Sequence, residues 1–279
     1  DADRLAALTR ALGLNGRPAQ EQGGWTVRDG RRALVAHRQA GVPWNYGTGL
    51  AACIPRPGGP SRPGVGIRCL HPDAPVSSRP VAPARPSRPP DLPSRARAAR
   101  VARDLAAQAG LDLEGAKVRV TDGYATRTVT IAPAVGGAPT SGFAWTVAVD
   151  ASGVVRYASG YLATPEPADT YPLIGVQEGF ERLKKAPAPR APLTAETPGV
   201  ELDPCPPGGG RPCTVKPLPA RVATVTGVRL GLQLAPAVAE GGGRPDVAYL
   251  LPAYLFDLEG GWTDVGAVIA VPERYLTRP

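Results

Sequence analysis

Two proline-dense stretches, residues 51–93 and 186–221, interrupt the chain and leave three blocks in which apolar residues recur with a regular period. Segments of such composition bury too little apolar surface to offset the entropy of ordering, and proline biases them toward extended polyproline II. The run SSRPVAPARPSRPPDLPSR (77–95) is the extreme case and reads as a stiff linker. The expected organisation is a small N-terminal helix-plus-meander unit with a disulfide loop (1–73), a Pro/Arg-rich linker (74–93), and a C-terminal α+β domain with a second disulfide loop (94–279).

Within the blocks the period changes between helix and strand. Leu5, Leu8 and Leu12 share a face at helical spacing, with Gly13 and Gly16 as the stop. Short strands are expected at 24–29, 32–37 and 42–47, parted by Asp29-Gly30 and Gly41, with Trp25, Val27, Leu34 and Trp44 in their core. Ser94 is placed to cap a second helix over 95–110, where Ala98, Val101, Ala102, Leu105 and Ala109 form the apolar face. Strands follow at 117–122, 127–135, 142–150 and 154–163, the alternation Phe143, Trp145, Val147, Val149 marking one buried face. A third helix is expected over 174–185, although Gly175 is a poor residue to start one. Three further strands are expected at 223–236, 247–259 and 265–276, with Pro252 and Pro272 at edges or bulges. The fold class is α+β, with helix packed on antiparallel sheet.

Four cysteines form two close pairs, Cys53 with Cys69 and Cys205 with Cys213, each bracketing a loop without periodicity. Chain entropy favours covalent closure of such loops by about 2–3 kcal/mol. Neither pair has the Cys-x2-4-Cys spacing of a zinc site, and His71 beside Cys69 is a weaker basis for one, so two disulfides and no metal are expected. Disulfides imply an oxidising compartment. No stretch approaches the ~20 apolar residues needed to cross a membrane. The numbering starts at Asp1 and the chain contains no methionine, which suggests an ectodomain or mature secreted part whose signal or anchor lies upstream. The net charge of +8 rests on arginine, since lysine occurs only at 117, 184, 185 and 216. Arginine, alanine, glycine and proline share GC-rich codons, so the excess is read as genomic bias before attraction to anionic lipid, wall polymer or nucleic acid.

The run FAWTVAVDASGVVRYASGYLATPEPADTYPLIGVQEGFERL (143–183) resembles the ectodomains of uncharacterised actinobacterial membrane-anchored proteins. Asp150, Gly153, Ser159, Gly160, Leu162, Tyr171, Pro172, Leu173, Arg182 and Leu183 carry this likeness. The layout is similar to PepSY and YycI-like modules, small extracytoplasmic α+β folds. The resemblance implies regulation of a partner protein and carries no catalytic motif.

The residues themselves supply little chemistry. His37 and His71 are the only histidines, and neither has a triad partner nearby in sequence. Glu178 and Glu181 share a helix face that is most simply solvated. The glycine runs at 208–210 and 241–243 lack the Lys-Ser/Thr of a phosphate loop, and no serine sits in a nucleophile elbow. No cofactor is implied. The expected role is an extracytoplasmic, non-enzymatic sensor or interaction module that binds another envelope protein, with no specific nucleic-acid partner. Its binding surface is expected along the loop 161–173, at Tyr161, Glu166, Asp169 and Tyr171, although the aromatics Trp145, Tyr157, Tyr161 and Tyr171 are each read as core before groove. The alternative is a binder of anionic envelope polymer or lipid through arginines that include Arg95, Arg97 and Arg100. A third reading, a hydrolase with an unrecognised site, would require a deep polar pocket.

Overall fold

The computed structural model describes residues 2–21, 23–38, 41–48, 91–123, 125–186, 222–236, 247–259 and 265–276. The first block holds α1 (Ala2–Ala11), β1 (Ala19–Glu21), β2 (Gly24–Asp29), β3 (Arg32–His37) and β4 (Trp44–Thr48). The second holds α2 (Arg95–Gln108), β5 (Lys117–Asp122), β6 (Thr126–Ala132), β7 (Ala134–Val135), β8 (Ala138–Ser141), β9 (Trp145–Asp150), β10 (Val155–Gly160) and α3 (Val176–Lys185). The third contributes β11 (Thr224–Pro236), β12 (Ala248–Glu259), β13 (Val265–Ile269) and one turn of 3-10 helix, Glu273–Tyr275. The fold is α+β. The chain divides into two compact units, Asp1–Asp169 with Leu232–Leu251, and Thr170–Gly231 with Pro252–Pro279.

In the first unit eight antiparallel strands form one sheet in the order β1-β2-β3-β4-β10-β9-β6-β5. β4 pairs with β10, setting Trp44 opposite Gly160 and Tyr46 opposite Ala158. The strands before residue 48 and those after residue 117 are therefore parts of a single sheet, and the division expected at 74–93 is not where strand pairing divides the chain. The reason is elementary: β4 and β10 would each expose an unpaired row of N–H and C=O groups, and they satisfy each other. Residues 74–90 of the expected linker lie outside the described residues. So do Cys53, Cys69, Cys205 and Cys213, and with them both expected disulfides.

One face of this sheet carries the core. Val27, Leu34, Trp44, Tyr46, Val129, Ile131, Val147 and Val149 are buried there with Leu5, Leu8 and Leu12 of α1 and an alanine-rich face of α2. Burying a side chain of Val, Leu or Ile size is worth about 1.5–3 kcal/mol, so this cluster dominates the unit's stability. Alanines 98, 102, 106 and 109 bring little area each, but their small size lets α2 approach the strands closely. The Ser94 hydroxyl accepts from the Arg97 N–H at 3.1 Å and starts α2; Gly110, at φ +81°, ends it in a conformation that glycine adopts without strain.

In the second unit β12 and β13 pair antiparallel, with Tyr254 opposite Val268 and Phe256 opposite Gly266. Ile174, Tyr254, Phe256, Val268 and Ala270 form the core, and Phe180 and Leu183 of α3 pack on it. Gly175 gives α3 no side-chain cap. The helix is secured instead by charge, with Glu178 in its first turn and Arg182, Lys184 and Lys185 in its last, each complementing the macrodipole. The Tyr254 hydroxyl donates to Ile174 O at 2.7 Å and ties the helix entry to β12.

Candidate functional site

The loop 161–173 joins β10 to α3, and its four candidate residues fall in different units. Tyr161, Glu166 and Asp169 belong to the first and Tyr171 to the second. Tyr161 is half-buried, stacked on Phe143 with ring centroids 5.2 Å apart. Its carbonyl accepts from Trp145 Nε1 at 3.2 Å, and burial pushes its phenol pKa up. Tyr161 is thus largely a packing residue. Glu166 and Asp169 are exposed and form no ion pair among the described residues. Tyr171 packs edge-on against Tyr275 at 5.9 Å. Trp145 is buried in the core, whereas Tyr157 is exposed and donates to Asn45 Oδ1 at 3.0 Å.

The three arginines at the start of α2 also separate. An N-terminal helix turn is a poor place for positive charge, and two of the three are drawn off by acceptors. Arg95 reaches Asp122 at 3.2 Å and Val120 O at 3.1 Å. Arg97 donates to Ser152 O at 2.7 Å. Its guanidinium lies over Gly153, where an added Cβ would come within 2.7 Å of Arg97 Nη2. Arg100 points to solvent, and no ion pair holds it among the described residues.

Asp150, one of the residues carrying the family likeness, organises the turn under Arg97. Its Oδ1 accepts from the Ser152 N–H at 3.0 Å, the Ser152 hydroxyl at 2.6 Å and the Val154 N–H at 2.9 Å, while Oδ2 pairs with Arg156. Burial alone would raise its pKa. The bonds from Ser152 and Val154 and the nearby Arg156 outweigh that and hold the carboxyl at about 2. Asp150 is a structural anion that shapes the β9–β10 hairpin.

The second unit contains a groove of about 730 Å³ that sequence reasoning did not find. One wall is the start of α3, with Leu173, Glu178 and Glu181; the other is Pro272–Arg274. Arg182 spans its floor, donating to Val271 O at 3.0 Å and to Glu178 at 2.8 Å. Glu181 is paired with Lys184 at 2.7 Å, so both helix carboxylates already have cationic partners. Leu173, Val176, Tyr275 and Leu276 are exposed apolar residues of the same unit. The second wall escaped notice because 265–276 reads as one strand, whereas β13 stops at Ile269 and Pro272 opens a 3-10 turn. Proline before the turn was the available signal.

His37 lies on β3 and lines a hollow in the first unit, described below. Among the described residues no group of three or more His, Cys, Asp and Glu is placed to hold a metal ion. Also among the described residues, no helix is long and apolar enough to cross a membrane.

No protein-family model matches the chain, and no curated protein sequence matches it. Among solved structures it is similar to the Bacillus megaterium YpeB C-terminal domain, at 9% sequence identity and a TM-score of 0.42, over 97% of this chain and 92% of that one.

Proposed function

We propose that this chain is the extracytoplasmic, non-enzymatic part of a membrane-anchored envelope protein, working as a sensor or interaction module that binds another envelope protein. The observation that carries the reading is the groove at the start of α3. Its walls present both signs of charge, Glu178, Glu181 and Glu273 against Arg182, Lys185 and Arg274, and Leu173 stands exposed at its side. An apolar anchor inside a polar, mixed-charge rim is the anatomy of a protein–protein interface. The PepSY-like and membrane-anchored parts of the proposal rest on the residue run 143–183, and the oxidising compartment on the spacing of the cysteines.

Photo-crosslinking residues placed at Leu173 and at Tyr275 test it in intact envelopes. Both positions should yield the same discrete heterologous adduct, while a crosslinker at Val154, equally exposed but in the first unit, should not. Identical adduct patterns from all three positions would contradict the proposal. The alternative role, a binder of anionic envelope polymer or lipid, is supported by Arg100 and Arg103, which project from α2 without ion pairs among the described residues. That role predicts binding to anionic vesicles that declines steeply between low and physiological salt and weakens in an Arg100→Gln/Arg103→Gln variant.

A further inference from the structure

The sheet of the first unit carries a row of tryptophans separated by the two smallest residues. Trp25 faces Ala36 across β2 and β3. The β3–β4 register, which sets Val35 opposite Asn45, carried one residue further places Ala36 beside Trp44. Trp44 in turn faces Gly160. The β10–β9 register sets Ser159 opposite Thr146 and so brings Gly160 beside Trp145. Trp145 fills the space that Gly160 leaves: a Cβ at Gly160 would come within 2.5 Å of its ring. Among the described residues nothing comparable fills the space over Ala36.

That space is a hollow of about 140 Å³. Trp25 and Trp44 line it on either side of Ala36, together with Leu5 of α1, Leu162 and Arg38. An apolar cavity of about 150 Å³ takes up benzene, so the size suits one ring or one branched side chain. Trp44, only 1% exposed, gives the hollow a rigid aromatic wall. At the edge, the exposed Arg38 lies over the Trp25 ring at 5.3 Å, and no carboxylate among the described residues pairs with it. An aromatic wall and a cation without an anion among the described residues thus border the same slot.

We propose that this slot binds a small organic acid, a flat ring or branched apolar body bearing one carboxylate, of about the size of benzoate or phenylacetate. The ring lies over Ala36 between the two indoles. The carboxylate takes the charge of Arg38, and the apolar body packs on the indole of Trp44. Every residue named belongs to the first unit, so the inference is independent of the groove proposed as a protein interface.

The experiment is calorimetric and NMR titration of the full chain with benzoate and phenylacetate, with acetate and benzyl alcohol as probes lacking the ring and the charge. Saturable one-to-one binding is expected with a dissociation constant on the order of 1 mM or tighter, as suits a ligand of this few atoms. Acetate and benzyl alcohol should each bind about tenfold more weakly, since each lacks one of the two recognition elements. The indole N–H resonance of Trp44, assigned by its loss in Trp44→Phe, should shift on titration. Arg38→Gln, at an exposed position, should weaken benzoate about tenfold and leave benzyl alcohol unchanged. Ala36→Leu should abolish binding of both; if that variant does not fold, Arg38→Gln and the indole shift decide the matter. No saturable binding up to 20-fold above the expected ~1 mM, an unmoved Trp44 indole, or equal benzoate affinity in Arg38→Gln would each overturn the proposal and leave a water-filled hollow.

Discussion

Gly160→Ala adds a single methyl group to the first unit, and the structure gives it no room. The new Cβ would sit 2.5 Å from Trp145 Cδ1, 2.7 Å from Cγ and 2.8 Å from Nε1. Gly160 does not have positive φ, so the whole cost is steric. Trp145 cannot move aside freely, being 2% exposed, packed edge-on against Trp44 at 4.9 Å and bonded through Nε1 to Tyr161 O. Overpacking of this kind costs about 1–3 kcal/mol. Breaking the Trp145 bond while its N–H stays buried adds about 1–3 kcal/mol. Taking ~3 kcal/mol as the combined loss, a unit of this size should melt about 6–12 °C lower. Thermal unfolding followed by circular dichroism reads this directly. A double-mutant cycle with Trp145→Leu isolates the cause, because Gly160→Ala should cost much less once the ring is gone. A drop of under about 2 °C, or an equal loss in both backgrounds, would refute the claim that Trp145 occupies the space of a missing side chain.

The Asp150 carboxyl, held at about 2 against an ordinary 3.8, contributes stability that is present above its unfolded value and is lost as pH falls toward 2. Chemical denaturation of wild type and Asp150→Asn from pH 7 to 2 should therefore show a stability gap that is constant near neutrality and narrows below about pH 4; a gap independent of pH would refute the assignment. Tyr161→Ala should lower stability by about 1–2 kcal/mol through loss of the Phe143 stack, whereas Asp169→Ala should stay within about 0.5 kcal/mol, both measured by urea unfolding. Gly179→Ala sets helix propensity against a clash: alanine gains about 1 kcal/mol in a helix interior, but its Cβ would lie 2.6 Å from a Tyr254 ring that its hydroxyl bond pins in place. With overpacking at about 1–3 kcal/mol the clash wins, and a net loss of about 1 kcal/mol is expected; a stabilised variant would show that Tyr254 yields easily.

Local periodicity made most elements legible. β2, β3 and β5 fall on the residues that alternation marks, and Ser94 caps α2 as its position before an apolar helical face implies. What stayed illegible depends on distant partners. β1, β7 and β8 are three, two and four residues long, too short to carry a period, and are strands only because a neighbour pairs with them. The union of 24–48 with 117–160 in one sheet rests on β4 meeting β10 across more than a hundred residues. No local pattern announces such a contact. The loop 161–173 was a reasonable place to look for exposed aromatics, but composition cannot tell an aromatic that stacks inward, as Tyr161 does on Phe143, from one that faces solvent.

The same reasoning explains why the two proposed binding surfaces are hidden in different ways. The groove beside α3 needs the chain to turn at Pro272, which the sequence marks only as an edge or bulge within one expected strand, 265–276. The hollow over Ala36 needs four strand registers at once. Trp25, Ala36, Trp44, Gly160 and Trp145 are not neighbours in sequence as a set and become a row of large, small, large, small, large only when the strands are laid side by side. Within that row glycine and alanine have opposite consequences. Gly160 is absorbed by its neighbour's ring and becomes essential to packing, whereas Ala36 leaves a hollow between the indoles of Trp25 and Trp44. Packing alone would favour a larger residue at 36, because an unfilled methyl-sized void costs about 1 kcal/mol. With alanine there, between two indoles and near an arginine that no carboxylate among the described residues pairs with, the space stays open to the proposed ligand.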